Sequence, residues 1–201
     1  VCSSDLKKIL KWNVYFPGFE CFRFHDQQGR PHARKYAQKV GLRKSIKIGE
    51  TIPNFSLKNA KNEVVNSSDI LKNGKMIIAF YRGSWCPYCN LELKALQEKI
   101  SEFKEKNATL VAISPQSPDN SLTVIEKHHL TFEVLTDKDN VFAKQLGIVF
   151  ELQDFVLPYY HALGIDLSSF NENTNNSLPI PAVFVVNESS KIIYKFADAN
   201  Y

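Results

Sequence analysis

The 201-residue sequence predicts a three-layer α/β domain, with a central mixed sheet flanked by helices. Three observations carry that expectation. Two continuous apolar runs of strand length, Lys75–Tyr81 (KMIIAFY) and Thr109–Ser114 (TLVAIS), suit strands buried on both faces. Each is followed by a helical pattern, and a third short strand, Phe132–Leu135, follows the second helix. Finally, Ala182–Val186 (AVFVV) and Lys191–Phe196 (KIIYKF), joined by a turn at Asn187–Ser190, read as a closing hairpin. Strand–helix–strand–helix–strand followed by a hairpin is the pattern of helices packed on both faces of one sheet.

In chain order, periodicity is weak up to about Gly41. A helix is expected over Ala33–Val40, after a break at Phe16-Pro17-Gly18. Residues 1–40 are read as an extension without assigned function, and 41–201 as the domain. Val1–Leu6 (VCSSDL) resembles a translated sequencing adapter and the chain stops abruptly at Asn200–Tyr201, so an open-ended fragment is expected and Cys2 is set aside. Asn54–Leu57 is expected as a short strand and Asn73-Gly74 as a turn. After the Lys75–Tyr81 strand comes Cys86-Pro87-Tyr88-Cys89, then a helix to about Lys106. Later helices are expected over Ser121–His129, Val141–Leu146 and around Phe155–Leu163, the last inside a long connection, Gly147–Phe170. Asn171–Ser177 is a polar loop.

Composition narrows the function. With 44% hydrophobic and 23% charged residues the chain is ordinary for a globular protein, and a net charge of +4 is only mildly basic. Lys94, Lys99, Lys104 and Lys106 alternate with Glu92, Glu98, Glu102 and Glu105, which describes a solvated helix face and not a nucleic-acid stripe. No apolar run nears the roughly 18 residues of a membrane span. The first residues hold no continuous apolar segment with a small-residue cleavage site, so a soluble, unexported, cytoplasmic protein is expected.

The chemistry points to cysteine. Cys21, Cys86 and Cys89 are too sparse for a disulfide scaffold, so a close pair is catalytic or metal-binding before it is structural. Cys89, Leu93, Leu96, Ile100 and Phe103 recur at spacings of four and three, one apolar helix stripe. Cys89 should therefore face the core, and Cys86, at the helix start, should lie nearer the surface. Residues three apart on a helix are neighbours, so the sulfurs are able to bond. Pro87 suits the first helical turn, where its missing N–H costs nothing. The positive end of the helix stabilises a thiolate, and Arg82 is a candidate to help. Ionisation alone does little. A thiol of pKa about 8.5 is about 3% thiolate at pH 7 and one of pKa about 7 is half ionised. Nucleophilicity falls with pKa at a slope of about 0.4–0.5, so only about a threefold advantage survives.

Other readings remain open. Cys21 and His25, spaced C-x3-H, would complete a Cys3His zinc site with the pair. The pair would otherwise be inert core, or an idle dithiol in an interaction module. Cys21 is otherwise a bystander, His128 and His129 read as solvated helix-end residues, and His161 as structural.

Phe80-Tyr81-Arg82-Gly83-Ser84-Trp85-Cys86-Pro87-Tyr88-Cys89, with Gly49–Leu57 (GETIPNFSL), Ala112–Ser121 (AISPQSPDNS) and Leu178–Val186 (LPIPAVFVV), resembles the alkyl hydroperoxide reductase / thiol-specific antioxidant family. The likeness is to its peroxiredoxin-like branch with a thioredoxin-type CxxC, and covers about Gly41 to the end. It implies a thioredoxin fold and a thiol-dependent peroxidase needing no cofactor. In that register Cys89 takes the place of the peroxidatic cysteine, and Cys86, as resolving thiol, falls where true peroxiredoxins carry threonine. The family's active-site arginine should fall near Pro181, where this sequence has none. Ile180-Pro181 instead resembles the cis-proline that faces the CxxC in thioredoxins, with a plain strand-start proline as the simpler reading. Arg82, Trp85, Pro87 and Pro181 are thus the supporting candidates around a Cys86–Cys89 redox disulfide. The implied partners are a hydroperoxide substrate and a thioredoxin-like reductant, with a homodimer as a further option and neither nucleic acid nor membrane. The alternative activity is protein disulfide exchange, with Cys86 as the attacking thiol.

Overall fold

A computed structural model describes residues 44–197. The expected helix over Ala33–Val40, Cys2, Cys21, His25 and the chain end lie outside the described residues. The first strand is β1 (Ser56–Asn59), two residues later than expected. The reason is local: Phe55 N–H donates to the Ser67 hydroxyl at 3.0 Å, so this amide is taken before the ladder starts. A tight turn with Asn62 at φ 64° leads to β2 (Val64–Asn66) and a short helix, α1 (Ser67–Lys72). Strand β3 (Lys75–Phe80) follows, then α2 (Pro87–Glu98) and α3 (Ile100–Glu105). The single helix expected to Lys106 breaks at Lys99 (φ −101°, ψ 4°), where the chain tightens through a Lys99 N–H to Leu96 carbonyl bond of 3.1 Å. The apolar stripe survives the break: Leu93, Leu96 and Phe103 are all buried.

Strand β4 (Ala108–Ser114) leads to α4 (Pro118–His128), which starts three residues earlier than expected, with Ser117 at the cap and Pro118 at the first position. It ends at His129 in a left-handed conformation, φ 51°. His129 is exposed but His128 is half-buried, so only one of the two is solvated as expected. Strand β5 (Glu133–Thr136) and a single 3₁₀ turn precede α5 (Val141–Gln145). The expected helix around Phe155–Leu163 is a 3₁₀ turn, Asp154–Val156, followed by α6 (Leu157–Ala162), with Pro158 in its first turn. His161 lies exposed in its last turn. Helix α7 (Leu167–Asn171) and a two-stranded ribbon of β6 (Val149–Glu151) and β7 (Ser177–Pro179) complete the connection. The closing hairpin is β8 (Ala182–Val186) and β9 (Ile192–Ala197).

The main sheet has seven strands in the order β2-β1-β5-β4-β3-β8-β9. Strand β3 pairs parallel with β4, and β4 with β5; β8 lies antiparallel to β3. Side chains alternate across the pleat, and the core divides accordingly. Ile77, Ala79 and Tyr81 pack with Leu93, Leu96, Phe103 and Val124 of α2–α4 on one face. Met76, Ile78 and Phe80 pack with Leu71 and Phe142 of α1 and α5 on the other. This is the three-layer architecture expected, and it directs the carboxyl end of β3 at the start of α2. Among the described residues, no helix is long and apolar enough to cross a membrane.

Candidate active site

Strand β3 passes directly into the elbow that carries the thiols. Tyr81 N–H still reaches the Ile113 carbonyl at 3.1 Å, and the chain then leaves the sheet through Arg82-Gly83-Ser84-Trp85. Gly83 is required there, because a Cβ would lie 2.5 Å from Trp85 Nε1 and 3.2 Å from Gln116 Oε1. Both backbone polar groups of Ser84 are held. Its N–H donates to Gln116 Oε1 at 2.7 Å, and its carbonyl accepts from Asn90 Nδ2 at 2.8 Å. Cys86 then caps α2, with Pro87 in the first turn as expected.

The cap is made by sulfur. Cys86 Sγ accepts from Cys89 N–H at 3.4 Å and from Arg82 Nη2 at 3.5 Å. Two donors and a helix N-terminus around one sulfur favour its charged form. The Cys86 thiol is lowered to about 6, first through the hydrogen bond from the Cys89 thiol; burial opposes this and Arg82 reinforces it. Cys89 moves the other way, well above the ordinary thiol range, because it is the donor to Cys86 and is itself buried. The two directions agree in favouring the charge on Cys86 and the proton on Cys89. Arg82 is held cationic: burial works against its charge, but the two thiols outweigh it. Beneath them, burial pushes the Tyr81 phenol up to about 12, so it adds no competing charge.

Cys89 faces the core as expected, with 0% exposure, and Cys86, though the less deeply placed of the two, is also largely covered at 2% exposure. Beside the thiols, the rings of Trp85 and of Tyr160 from α6 meet edge to face at 5.4 Å. Tyr160 is half-buried; burial raises its phenol, and the neighbouring Arg82 opposes the rise. Of the supporting candidates, Arg82, Trp85 and Pro87 converge on the thiols. Pro181 is buried one step beyond the Phe80–Ala182 pair, at the same end of β3. It does not extend the thioredoxin likeness, however: no described peptide bond is cis, so Pro181 is the simpler strand-start proline. Three contributors carried no sequence assignment: Tyr160, Asn90 and Gln116. Only Gln116 had a visible signal, the Ser114-Pro115-Gln116 motif within the family block. Among the described residues, no group of three metal-ligating side chains converges.

The family model of the AhpC/TSA family matches residues 48–195, most of the chain. The chain belongs to the AhpC/TSA family. A putative peroxiredoxin bcp of Helicobacter pylori (strain ATCC 700392 / 26695) is 31% identical to this AhpC/TSA member over 133 residues, covering 66% of this chain and 85% of that protein. A putative peroxiredoxin bcp of Buchnera aphidicola is 31% identical over 104 residues, 52% of this chain; the match spans only 65% of that relative's length. Among solved structures, peroxidoxin BcpB from Mycobacterium tuberculosis superposes with a TM-score of 0.62 at 20% identity, over 76% of this chain and 86% of that one. A cysteine-to-serine mutant of Xylella fastidiosa PrxQ gives 0.61 at 17% identity, over the same shares. These likenesses establish the thioredoxin fold of peroxiredoxins for this AhpC/TSA protein.

Proposed function

We propose that this AhpC/TSA protein is a thiol-dependent peroxidase acting through the Cys86–Cys89 dithiol, recycled by a thioredoxin-like donor. The observation that carries the reading is Arg82 Nη2 at 3.5 Å from Cys86 Sγ. One guanidinium there both holds the attacking thiolate and lies where charge develops as an O–O bond breaks. It supplies, from the elbow, a cation that the sequence lacks near Pro181.

The family register assigns Cys89 the peroxidatic role and Cys86 the resolving one. The electrostatics favour the reverse, and we adopt it. The Cys86 thiolate attacks one peroxide oxygen; an S–O bond forms, the O–O bond breaks, and the departing alkoxide takes the Cys89 proton. Cys89, now a thiolate, attacks the sulfenic sulfur, forms the disulfide and expels hydroxide, which solvent protonates to water. The net change is a hydroperoxide and two thiols converted to an alcohol, water and a disulfide. A dithiol donor restores both thiols by exchange.

Protein disulfide exchange with Cys86 as attacking thiol is favoured by the same thiolate. The 2% exposure of Cys86 discriminates between the two, since a hydroperoxide needs far less access than a protein disulfide. Recycling by a protein donor then requires the Trp85 elbow to open. The test is turnover of hydrogen peroxide and cumene hydroperoxide, coupled through thioredoxin, thioredoxin reductase and NADPH. The expected result is turnover far above that of a free dithiol, lost when both cysteines are replaced by serine. Turnover no faster than a free dithiol, alongside rapid insulin disulfide reduction, would transfer the assignment to disulfide exchange.

A further inference from the structure

The Ser114-Pro115-Gln116 motif lies at the carboxyl end of β4, apart from the cysteines in sequence, and the chemistry above does not use it. Gln116 is fully buried, which an uncharged amide tolerates only when its polar atoms are engaged. All of them point at fixed partners. Oε1 accepts from Ser84 N–H at 2.7 Å, and Nε2 donates to the Ser121 hydroxyl of α4 at 3.3 Å. The Gln116 carbonyl accepts from Thr136 Oγ1 at 2.9 Å, fixing its own backbone to β5. The amide therefore ties the Ser84 elbow to the sheet edge and to α4.

We propose that Gln116 is a positioning residue for the dithiol: its side-chain carbonyl, bonded to Ser84 N–H, sets the elbow that aims Cys86 Sγ at Arg82 and at Cys89 N–H. The lever is short. Ser84 is two residues from Cys86, and Cys86 N–H itself bonds the Gly83 carbonyl at 3.1 Å, so the elbow and the cap are one closed turn. Both sulfur contacts, at 3.4 and 3.5 Å, depend on where Cys86 Sγ points, and the elbow sets that direction. Asn90, from α2, holds the Ser84 carbonyl, in the next peptide unit. The titratable groups around the dithiol are Arg82, Cys89, Tyr160 and Tyr81, none of which Gln116 touches in the contacts above. Its influence on the thiolate is thus geometric.

The inference rests on the dithiol reading but is tested without peroxide, so the two fail separately. Thiolate absorbance at 240 nm is titrated against pH in the reduced wild type, Gln116→Met, Asn90→Ala and Ser121→Ala. Gln116→Met keeps the volume and removes the acceptor; Asn90→Ala releases the Ser84 carbonyl from a half-buried position. Both are expected to raise the Cys86 midpoint by about one pH unit, a tenfold loss of thiolate preference. Ser121→Ala leaves Oε1 on Ser84 and is expected to titrate as wild type, which a purely structural role for the buried amide does not predict. Far-ultraviolet circular dichroism and thermal melting check that each variant is folded. A wild-type midpoint in folded Gln116→Met overturns the proposal. Should that variant not fold, a wild-type midpoint in Asn90→Ala, or an equal rise in Ser121→Ala, overturns it.

Discussion

Replacing Cys89 by alanine should move the ionisation of Cys86 more than any other single change. The Cys86 thiol sits at about 6, and the first contributor is the hydrogen bond from the Cys89 thiol. Hydrogen bonds to charged groups contribute about 1.5–3 kcal/mol, and one pKa unit is about 1.36 kcal/mol, so the loss is worth about one to two units. Cys89→Ala should therefore titrate at about 7–8. It should not reach the ordinary thiol value of 9.0, because Arg82 and the residue-89 backbone N–H remain. Cys89→Ser keeps a donor on a slightly shorter bond and should stay within about half a unit of wild type. The magnitude also selects the assay. At pH 6 the thiolate falls about five- to fifty-fold, but each remaining thiolate becomes more nucleophilic at a slope of about 0.4–0.5, so alkylation slows only about two- to eightfold. Direct titration at 240 nm is the sharper readout. A Cys89→Ala midpoint still at about 6, or Cys89→Ser rising equally far, would refute the assignment of proton and charge between the two sulfurs.

Three further outcomes follow from the same geometry. Arg82→Met should raise Cys86 by about one unit and slow its oxidation by hydroperoxide about tenfold or more, because it removes both a thiolate partner and a cation at the breaking bond; stopped-flow fluorescence at several pH values checks both. The reduced protein should gain stability as pH rises from about 6 to 9, since Cys86 is depressed to about 6 from 9.0. An acid with a lowered folded pKa contributes fully above its unfolded value and loses that contribution as pH falls through the folded one; the gain is at most about 4 kcal/mol. Thermal melts of wild type against Cys86→Ser across that range should show it, and oxidation to the disulfide should remove it. Ile78→Ala, at a fully buried position in the central strand β3, should cost about 3–4 kcal/mol in urea unfolding without changing the Cys86 titration, because Ile78 packs on the face away from the thiols.

The sheet centre and the thiol-bearing helix were legible in the sequence because each is written in consecutive residues. Met76–Phe80 and Leu110–Ser114 are unbroken buried runs, and the spacing from Cys89 to Phe103 survives the break at Lys99. Strands β2, β6 and β7 have three residues each, too few to show a period, and they form because pairing partners elsewhere supply their register. A helix-start position is ordinarily open, so no local pattern encodes the 2% exposure of Cys86. Arg82 was readable from its place four residues before Cys86. Gln116 was visible as a motif, but its role depends on a hydrogen bond to Ser84 across the fold, which no local pattern encodes.

The most direct test of the account is stopped-flow oxidation of the reduced protein by hydrogen peroxide and cumene hydroperoxide, in wild type, Cys86→Ser and Cys89→Ser, with dimedone trapping and peptide mass spectrometry. Rapid oxidation should be abolished in Cys86→Ser, and retained in Cys89→Ser with a trapped sulfenic acid on Cys86. Oxidation retained in Cys86→Ser and lost in Cys89→Ser would contradict it, returning the peroxidatic role to Cys89.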